Sequence, residues 1–346
     1  MTPSEPRNDA SGDPEVLPRA PARQKTSRRV FAWVATVVTV VLLCLFLWDQ
    51  RDELSRAFQT SWENLVLLLL LSAVGQVANA TEFWMLYRAG GSNIGWMDNF
   101  SSFNASQLGN FAPLQAGSVY RIHFIKQTYG VSYPRSLTTY AQNVVITIGA
   151  GGVCGLIGVC ATALYSGHSF SWVMFAVTGG MLVGAVVFAF VPLPHGHWLP
   201  GKLKHWWRDF HTGWELVRKR PRSALEVLAL ELVRMVLSAA RLAVAFSVLG
   251  VHEPFVLYLV LAPVASVSTI LAFTPGAIGI REAAIAGAAL ALGFKLPTGL
   301  LGASVDRGAM IVVTVAMGAL GYAHTTYRLR QVARRATGGE IAAPVT

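Results

Sequence analysis

Apolar runs at about 30–48, 62–87, 140–165, 171–191 and 303–325 constrain this chain more than any motif in it. A helix needs about 20 apolar residues to cross a hydrocarbon core of about 30 Å, and each run comes close to or exceeds that length. The expected fold class is therefore an all-α polytopic membrane protein, with about 6–8 transmembrane helices once the shorter apolar pieces are counted. Composition agrees: 53% of the 346 residues are hydrophobic and 13% charged, and mean hydropathy is +0.47. Little remains for a soluble domain.

The run at 30–48 follows a polar segment and is followed by Asp49-Gln-Arg-Asp-Glu53, not by a small-residue cleavage site, so it reads as an uncleaved first span. Ser27-Arg-Arg-Val-Phe31 resembles a twin-arginine signal, but the run after it is too long and apolar for that reading. The formal net charge is +10. Its distribution speaks against nucleic acid, because the basic residues cluster in segments that alternate with the spans. Residues 1–29 read as a disordered basic cytoplasmic tail. Lys202, Lys204, Arg208, Arg218, Lys219, Arg220 and Arg222 mark 195–222 as a cytoplasmic amphipathic connector, and Arg328, Arg330, Arg334 and Arg335 mark a cytoplasmic tail at 326–346. These assignments place both termini inside and the chain, as a multi-pass protein, in the inner (cytoplasmic) cell membrane.

The connector divides the chain into halves, 30–194 and 223–325. Each half contains a broken element, near 100–117 in the first and near 255–293 in the second. The breaks are Phe111-Ala-Pro-Leu-Gln-Ala-Gly117 and Phe273-Thr-Pro-Gly-Ala-Ile-Gly279, with Phe, Pro and Gly at identical spacing. Helix-breaking residues at membrane depth are tolerated where the freed backbone is buried in protein or lines a cavity. Matching breaks in two halves point to a binding site. Pro113, Gly117, Pro275, Gly276 and Gly279 are accordingly the expected hinge residues of two re-entrant hairpins. Counting charges from span to span puts the hairpins on opposite faces, as an inverted repeat. Sequence leaves open whether the pieces at about 255–273 and 278–293 each cross; the Pro275-Gly276 break favours a hairpin.

Nine ionisable residues fall in or beside the spans: Glu82, Glu226, Glu231, Arg234, Arg241, Arg281, Glu282, Asp306 and Arg307. Charges in lipid are costly, which makes each a functional candidate. Glu231, Arg234 and Arg241 share one helical face, and Gln76, Asn79 and Glu82 form a stripe on another helix. One reading is a cavity in which Arg121, Arg234, Arg241, Arg281 and Arg307, with Glu82, Glu231 and Glu282, hold an anionic head group, since guanidinium forks suit phosphate oxygens. The other is mutual neutralisation, Glu231 with Arg234 and Asp306 with Arg307.

Cys44, Cys154 and Cys160 sit in apolar runs and suggest neither a disulfide framework nor a zinc site. His195 and His197 lie between prolines in a loop and make a poor metal site. The glycines from Gly149 to Gly158 read as close helix packing. No phosphate loop, His-Glu-x-x-His or nucleophile elbow is present, so neither an enzyme nor a cofactor is expected.

Asn110-Phe-Ala-Pro-Leu-Gln-Ala-Gly-Ser-Val-Tyr-Arg121, Phe273-Thr-Pro-Gly-Ala-Ile-Gly-Ile-Arg-Glu282 and Asp306-Arg307 together resemble the flippase-like transmembrane domain of lysylphosphatidylglycerol synthases, over most of 30–325. The resemblance implies inverted repeats, re-entrant helices and a cavity from which a lipid head group moves between leaflets. Pro113, Gly117, Arg121, Pro275, Gly276, Gly279, Glu282 and Arg307 match by position. Ser118 stands where many relatives are expected to carry an acid. With some 20 residues after about 325, the resemblance implies a stand-alone member without the aminoacyl-transferase domain. The expected partner is an anionic phospholipid. Alternatives are a polyprenyl-phosphate-linked sugar or other glycolipid, or a non-transporting accessory to a membrane glycosyltransferase or synthase; a homo-oligomer stays open.

Overall fold

The structure, a computed structural model, describes residues 62–111, 115–165, 170–190, 200–218, 221–270, 277 and 279–337. The basic N-terminal tail, the apolar run at 30–48, Cys44, Pro113, His195, His197, Pro275 and Gly276 lie outside the described residues. Among those described, the elements are helical throughout: α1 (Trp62–Ala89), α2 (Trp96–Gly109), α3 (Ala116–Tyr129), α4 (Tyr133–Tyr165), α5 (Trp172–Phe190), α6 (Gly201–Arg218), α7 (Pro221–Val248), α8 (Phe255–Ile270), α9 (Ile280–Ala291) and α10 (Leu296–Thr337). The chain is an all-α polytopic membrane protein.

Four of these helices, α1, α4, α5 and α10, are long and apolar enough to cross a membrane. α7 has the length, at 28 residues, but its apolar face is interrupted by Glu231, Arg234 and Arg241. α2, α3 and α9, with 14, 14 and 12 residues, fall short of a span. Several starts follow from proline. Pro134, Pro221 and Pro297 each stand in a first helical turn, where a missing N–H costs nothing. α4 therefore begins at 133 and not near 140.

In lipid the hydrophobic effect does not drive helices together, so close packing must. Small residues supply it. A Cβ on Gly152 of α4 would stand 2.6 Å from the backbone nitrogen of Leu182 on α5, and one on Gly158 would stand 2.8 Å from Val260 on α8. α2 lies along α10 in the same way, with Gly318 against Leu108 and Gly321 against the Ser101 carbonyl. The glycine-rich stretch of α4 is thus a packing surface, as its composition suggested. The apolar core gathers between α4, α7, α8 and α9 around Leu242, Phe246, Tyr258 and Leu261, while Leu70, Val183, Phe190 and Leu320 face outward. Trp62 and Trp172 open their helices exposed, as interfacial anchors do. Trp84 instead donates to the Ile94 carbonyl at 2.9 Å.

α10 extends well past the expected end at 325 and carries residues assigned to the tail into the bundle. Arg328 donates to Asp98 at the start of α2, with Nη2 to Oδ2 at 2.7 Å and Nε to Oδ1 at 3.2 Å. Tyr129 of α3 donates to the same carboxylate at 2.6 Å, and His324 Nε2 stands 2.9 Å from Oδ1. Burial alone would raise the Asp98 carboxyl, but these hydrogen bonds outweigh it and hold the group below its ordinary value. The cluster latches α2, α3 and α10 together at one end of the bundle.

Candidate anion-binding cavity

A cavity of about 340 Å³ opens inside the bundle between α1, α2, α3, α4, α7, α8, α9 and α10. Arg121, Arg234, Arg241, Arg281 and Arg307 all line it, together with Gln76, Asn79, Gln107, Asn110, Asn143, Thr147 and Thr314. Arginines separated by up to 186 positions in sequence, Arg121 and Arg307, thus meet at one space. None of the bundle's buried acids lines it. Glu82, Glu231, Glu282 and Asp306 stand behind the arginines, fully or almost fully buried.

The centre of this arrangement is Asp306, in the first third of α10. Its Oδ1 accepts from Arg241 Nε of α7 and its Oδ2 from Arg281 Nη2 of α9, each at 2.5 Å. One carboxylate therefore ties three helices. The sequence reading paired Asp306 with Arg307, but consecutive helical residues point about 100° apart, so the two look to different neighbours. Arg307 lies instead 3.8 Å from Glu282 Oε1. The other oxygen of Glu282 accepts from the Gly279 N–H at 2.7 Å, so this side chain caps α9 from within. Arg281 keeps one buried nitrogen, Nη1, without a hydrogen-bond partner among the described residues.

A second group forms around Arg234. The spacing of three on α7 brings Glu231 to it, with Nε to Oε2 at 2.5 Å and a further hydrogen bond from Nη2 to Oε1. Glu82 of α1 approaches Arg234 Nε at 3.6 Å, and Asn143 of α4 donates to Glu82 Oε1 at 2.5 Å. The pairing of Glu231 with Arg234 expected from sequence is present, with Glu82 and Asn143 added from two other helices.

Arg121 is held differently. It is fully buried, and among the described residues no carboxylate lies within ion-pairing distance of it. Its guanidinium stands 4.3 Å from the Phe83 ring centroid and 5.2 Å from that of Phe103, with Tyr87 and Tyr140 also around it. Asn99 accepts from Nη2 at 2.8 Å. Cation–π contacts and one carboxamide thus replace an acid.

The two breaks share a backbone feature that the one-letter pattern concealed. Gln115 (φ 51°) and Ala277 (φ 60°) are the non-glycine residues with positive φ among those described, and each lies two positions before the matched glycine. Both border the cavity. The glycines themselves do different work. Gly279 adopts φ 85°, whereas Gly117 is needed because a Cβ there would run into the Ser106 carbonyl. Asn110 accepts from the Ser118 N–H at 3.0 Å, so a carboxamide just past the end of α2 caps α3 where Glu282 caps α9. A left-handed alanine costs about 1–2 kcal/mol, and glycine returns about 0.5–1 kcal/mol of that as unfolded-chain entropy. Ala277→Gly is therefore expected to stabilise the protein by about 0.5–1 kcal/mol, seen as a higher melting temperature in detergent. A lower one would show that the left-handed turn is not strained.

Sequence reasoning missed Asp306 as a site residue, although it had placed the residue among the buried charges. Asn99 and Tyr140 gave too little signal to rank, being polar residues of ordinary helices. The fold defines a polytopic membrane protein, and the site is a buried, arginine-lined cavity. A family model for the lysylphosphatidylglycerol synthase TM region matches residues 32–318, and the chain belongs to that family. A comparison with curated proteins found no match.

Proposed function

We propose that the chain binds the head group of an anionic phospholipid in the arginine-lined cavity and moves the lipid between leaflets of the cytoplasmic membrane. The observation that carries this reading is the segregation of charge: five guanidinium groups face the cavity and four carboxylates stand behind them. Counted as fully ionised, this leaves a surplus of one positive charge facing a space with room for a phosphodiester. Guanidinium groups pre-positioned by buried acids recognise phosphate without paying for their own ordering. On this reading the breaks before α3 and α9 are re-entrant hinges in an inverted repeat, Arg121, Arg234, Arg241, Arg281 and Arg307 contact the ligand, and Glu82, Glu231 and Glu282 hold the arginines in place. The chain moves a lipid and does not synthesise one.

A second reading, transfer of a polyprenyl-phosphate-linked sugar, is favoured by the carboxamides and hydroxyls of Gln76, Asn79, Gln107, Asn110 and Thr314, which would suit sugar hydroxyls. Reconstitution separates the readings. Vesicles containing the purified protein and fluorescent phosphatidylglycerol should show faster leaflet exchange than empty vesicles, and Arg281→Ala should slow it about tenfold or more, since truncating a buried charged contact costs about 2–5 kcal/mol. Exchange of a labelled polyprenyl-phosphate sugar but not of phosphatidylglycerol would select the second reading. No exchange of either lipid, with one of them retained on purification, would leave a lipid-binding accessory to a membrane synthase or glycosyltransferase.

A further inference from the structure

The acids around Arg234 do not match it in number. Glu82 and Glu231 are both fully buried and come from different helices, yet one guanidinium serves both. Glu231 takes the two close hydrogen bonds. Glu82 is left with Asn143 on Oε1, while Oε2 is buried with no hydrogen-bond donor among the described residues. Both carboxyl groups converge on one nitrogen, Arg234 Nε, with Glu231 Oε2 at 2.5 Å and Glu82 Oε2 at 3.6 Å. Two bare carboxylates cannot bond to each other, because both only accept. One proton between them supplies the missing donor and removes a buried charge whose desolvation is otherwise expensive.

We propose that Glu82 and Glu231 form a proton-binding site, linked through Arg234 to occupancy of the cavity. The inference rests on the reading that the cavity takes an anionic head group. The link is Arg234 itself, which lines the cavity while pairing with both acids. A phosphate arriving at Arg234 competes with Glu231 for the guanidinium, and a carboxylate deprived of its cation gains affinity for a proton. Reciprocally, a proton on the pair frees Arg234 and raises the cavity's positive surplus from one to two. Lipid and proton therefore bind together, and movement of one is accompanied by movement of the other.

The other groups around the pair come from the elements packed against it. α4 contributes Asn143, Thr147 and the Cys154 thiol, whose surroundings include Glu231; α7 contributes Arg234. Asn143 and Thr147 do not titrate in the accessible range, a thiol such as Cys154 ordinarily titrates above about pH 8, and Arg234 stays charged. The Glu82–Glu231 pair is thus the group that can exchange a proton here.

Linkage fixes the sign. One proton taken up with each lipid makes affinity rise as pH falls, by up to tenfold per pH unit while the empty pair is deprotonated. The experiment measures binding of short-chain phosphatidylglycerol to the purified full-length protein by calorimetry, from about pH 8 to about pH 5, in buffers of different ionisation enthalpy. The wild type is expected to bind more tightly at low pH and to take up a proton from the buffer. Glu82→Gln, which keeps the shape of the carboxyl and mimics its neutral state, should bind with little dependence on pH and no proton uptake. Glu231→Gln should do the same, so the result does not hang on one variant folding, and melting curves identify any variant that does not fold. Affinity independent of pH in the wild type overturns the proton site while leaving the lipid reading intact. Absence of binding at every pH overturns the lipid reading on which it rests. Unchanged pH dependence in both folded variants assigns the proton elsewhere and also overturns the proposal.

Discussion

Replacing Asp306 by alanine is expected to destabilise the protein by about 3–5 kcal/mol, the largest loss at any single side chain in or behind the cavity wall. The carboxylate is fully buried and both its oxygens are used, one by Arg241 and the other by Arg281. Its removal leaves two buried guanidinium groups facing each other across the vacated space, and like charges at short range add repulsion to the lost pairing. Asp306→Asn keeps the shape and removes the charge, so it should lose most of the same stability. A partial recovery is expected on removing a cation with the acid, in Asp306→Leu combined with Arg281→Leu, because desolvation of a whole pair is avoided. Melting temperature in detergent checks all three variants. Near-wild-type stability for Asp306→Asn would show that the carboxylate is neutral or unpaired in the folded protein.

Gly117→Ala is expected to cost about 3 kcal/mol or more, at the upper end of what overpacking costs in a closed interior. A Cβ at this position collides with the Ser106 carbonyl and lies 2.7 Å from the backbone nitrogen of Asn110. These are backbone atoms near the end of α2, and α2 is itself wedged against α10, so the neighbour has nowhere to go. Gly109 closes the other side, since a Cβ there would stand 2.7 Å from the Gly117 Cα. Gly180→Ala is the matched control: nothing lies within 4 Å of the added carbon. It should melt as the wild type does, while Gly117→Ala melts lower and yields less folded protein. Equal stability of the two variants would mean that α2 and α3 can separate at no cost.

The long apolar helices were legible in sequence because the bilayer sets a length and a composition that few other environments tolerate. The five arginines were legible for the same reason: a charge among apolar residues stands out. Which acid meets which arginine was not, because side-chain direction on a helix depends on rotation and on the neighbour presented to it. Asp306 and Arg307 are adjacent in the chain, yet they serve Arg241 with Arg281 and Glu282 respectively. The equal spacing of the two breaks was visible, but the left-handed residues at Gln115 and Ala277 were not, since neither residue type announces that conformation. Nor could charge counting tell that Arg328 turns back onto Asp98. An arginine beyond the last span reads as solvent-facing until its helix is known to continue.

That continuation has a mechanical side. Asp306 and Arg328 are 22 residues apart on α10, about 33 Å along one unbroken axis. The first is clamped between Arg241 and Arg281, the second locked on Asp98. A rotation of α10 about its axis large enough to draw Asp306 from between its arginines would also carry Arg328 off its carboxylate. One helix thus places two ion-paired clusters under the same rotational constraint.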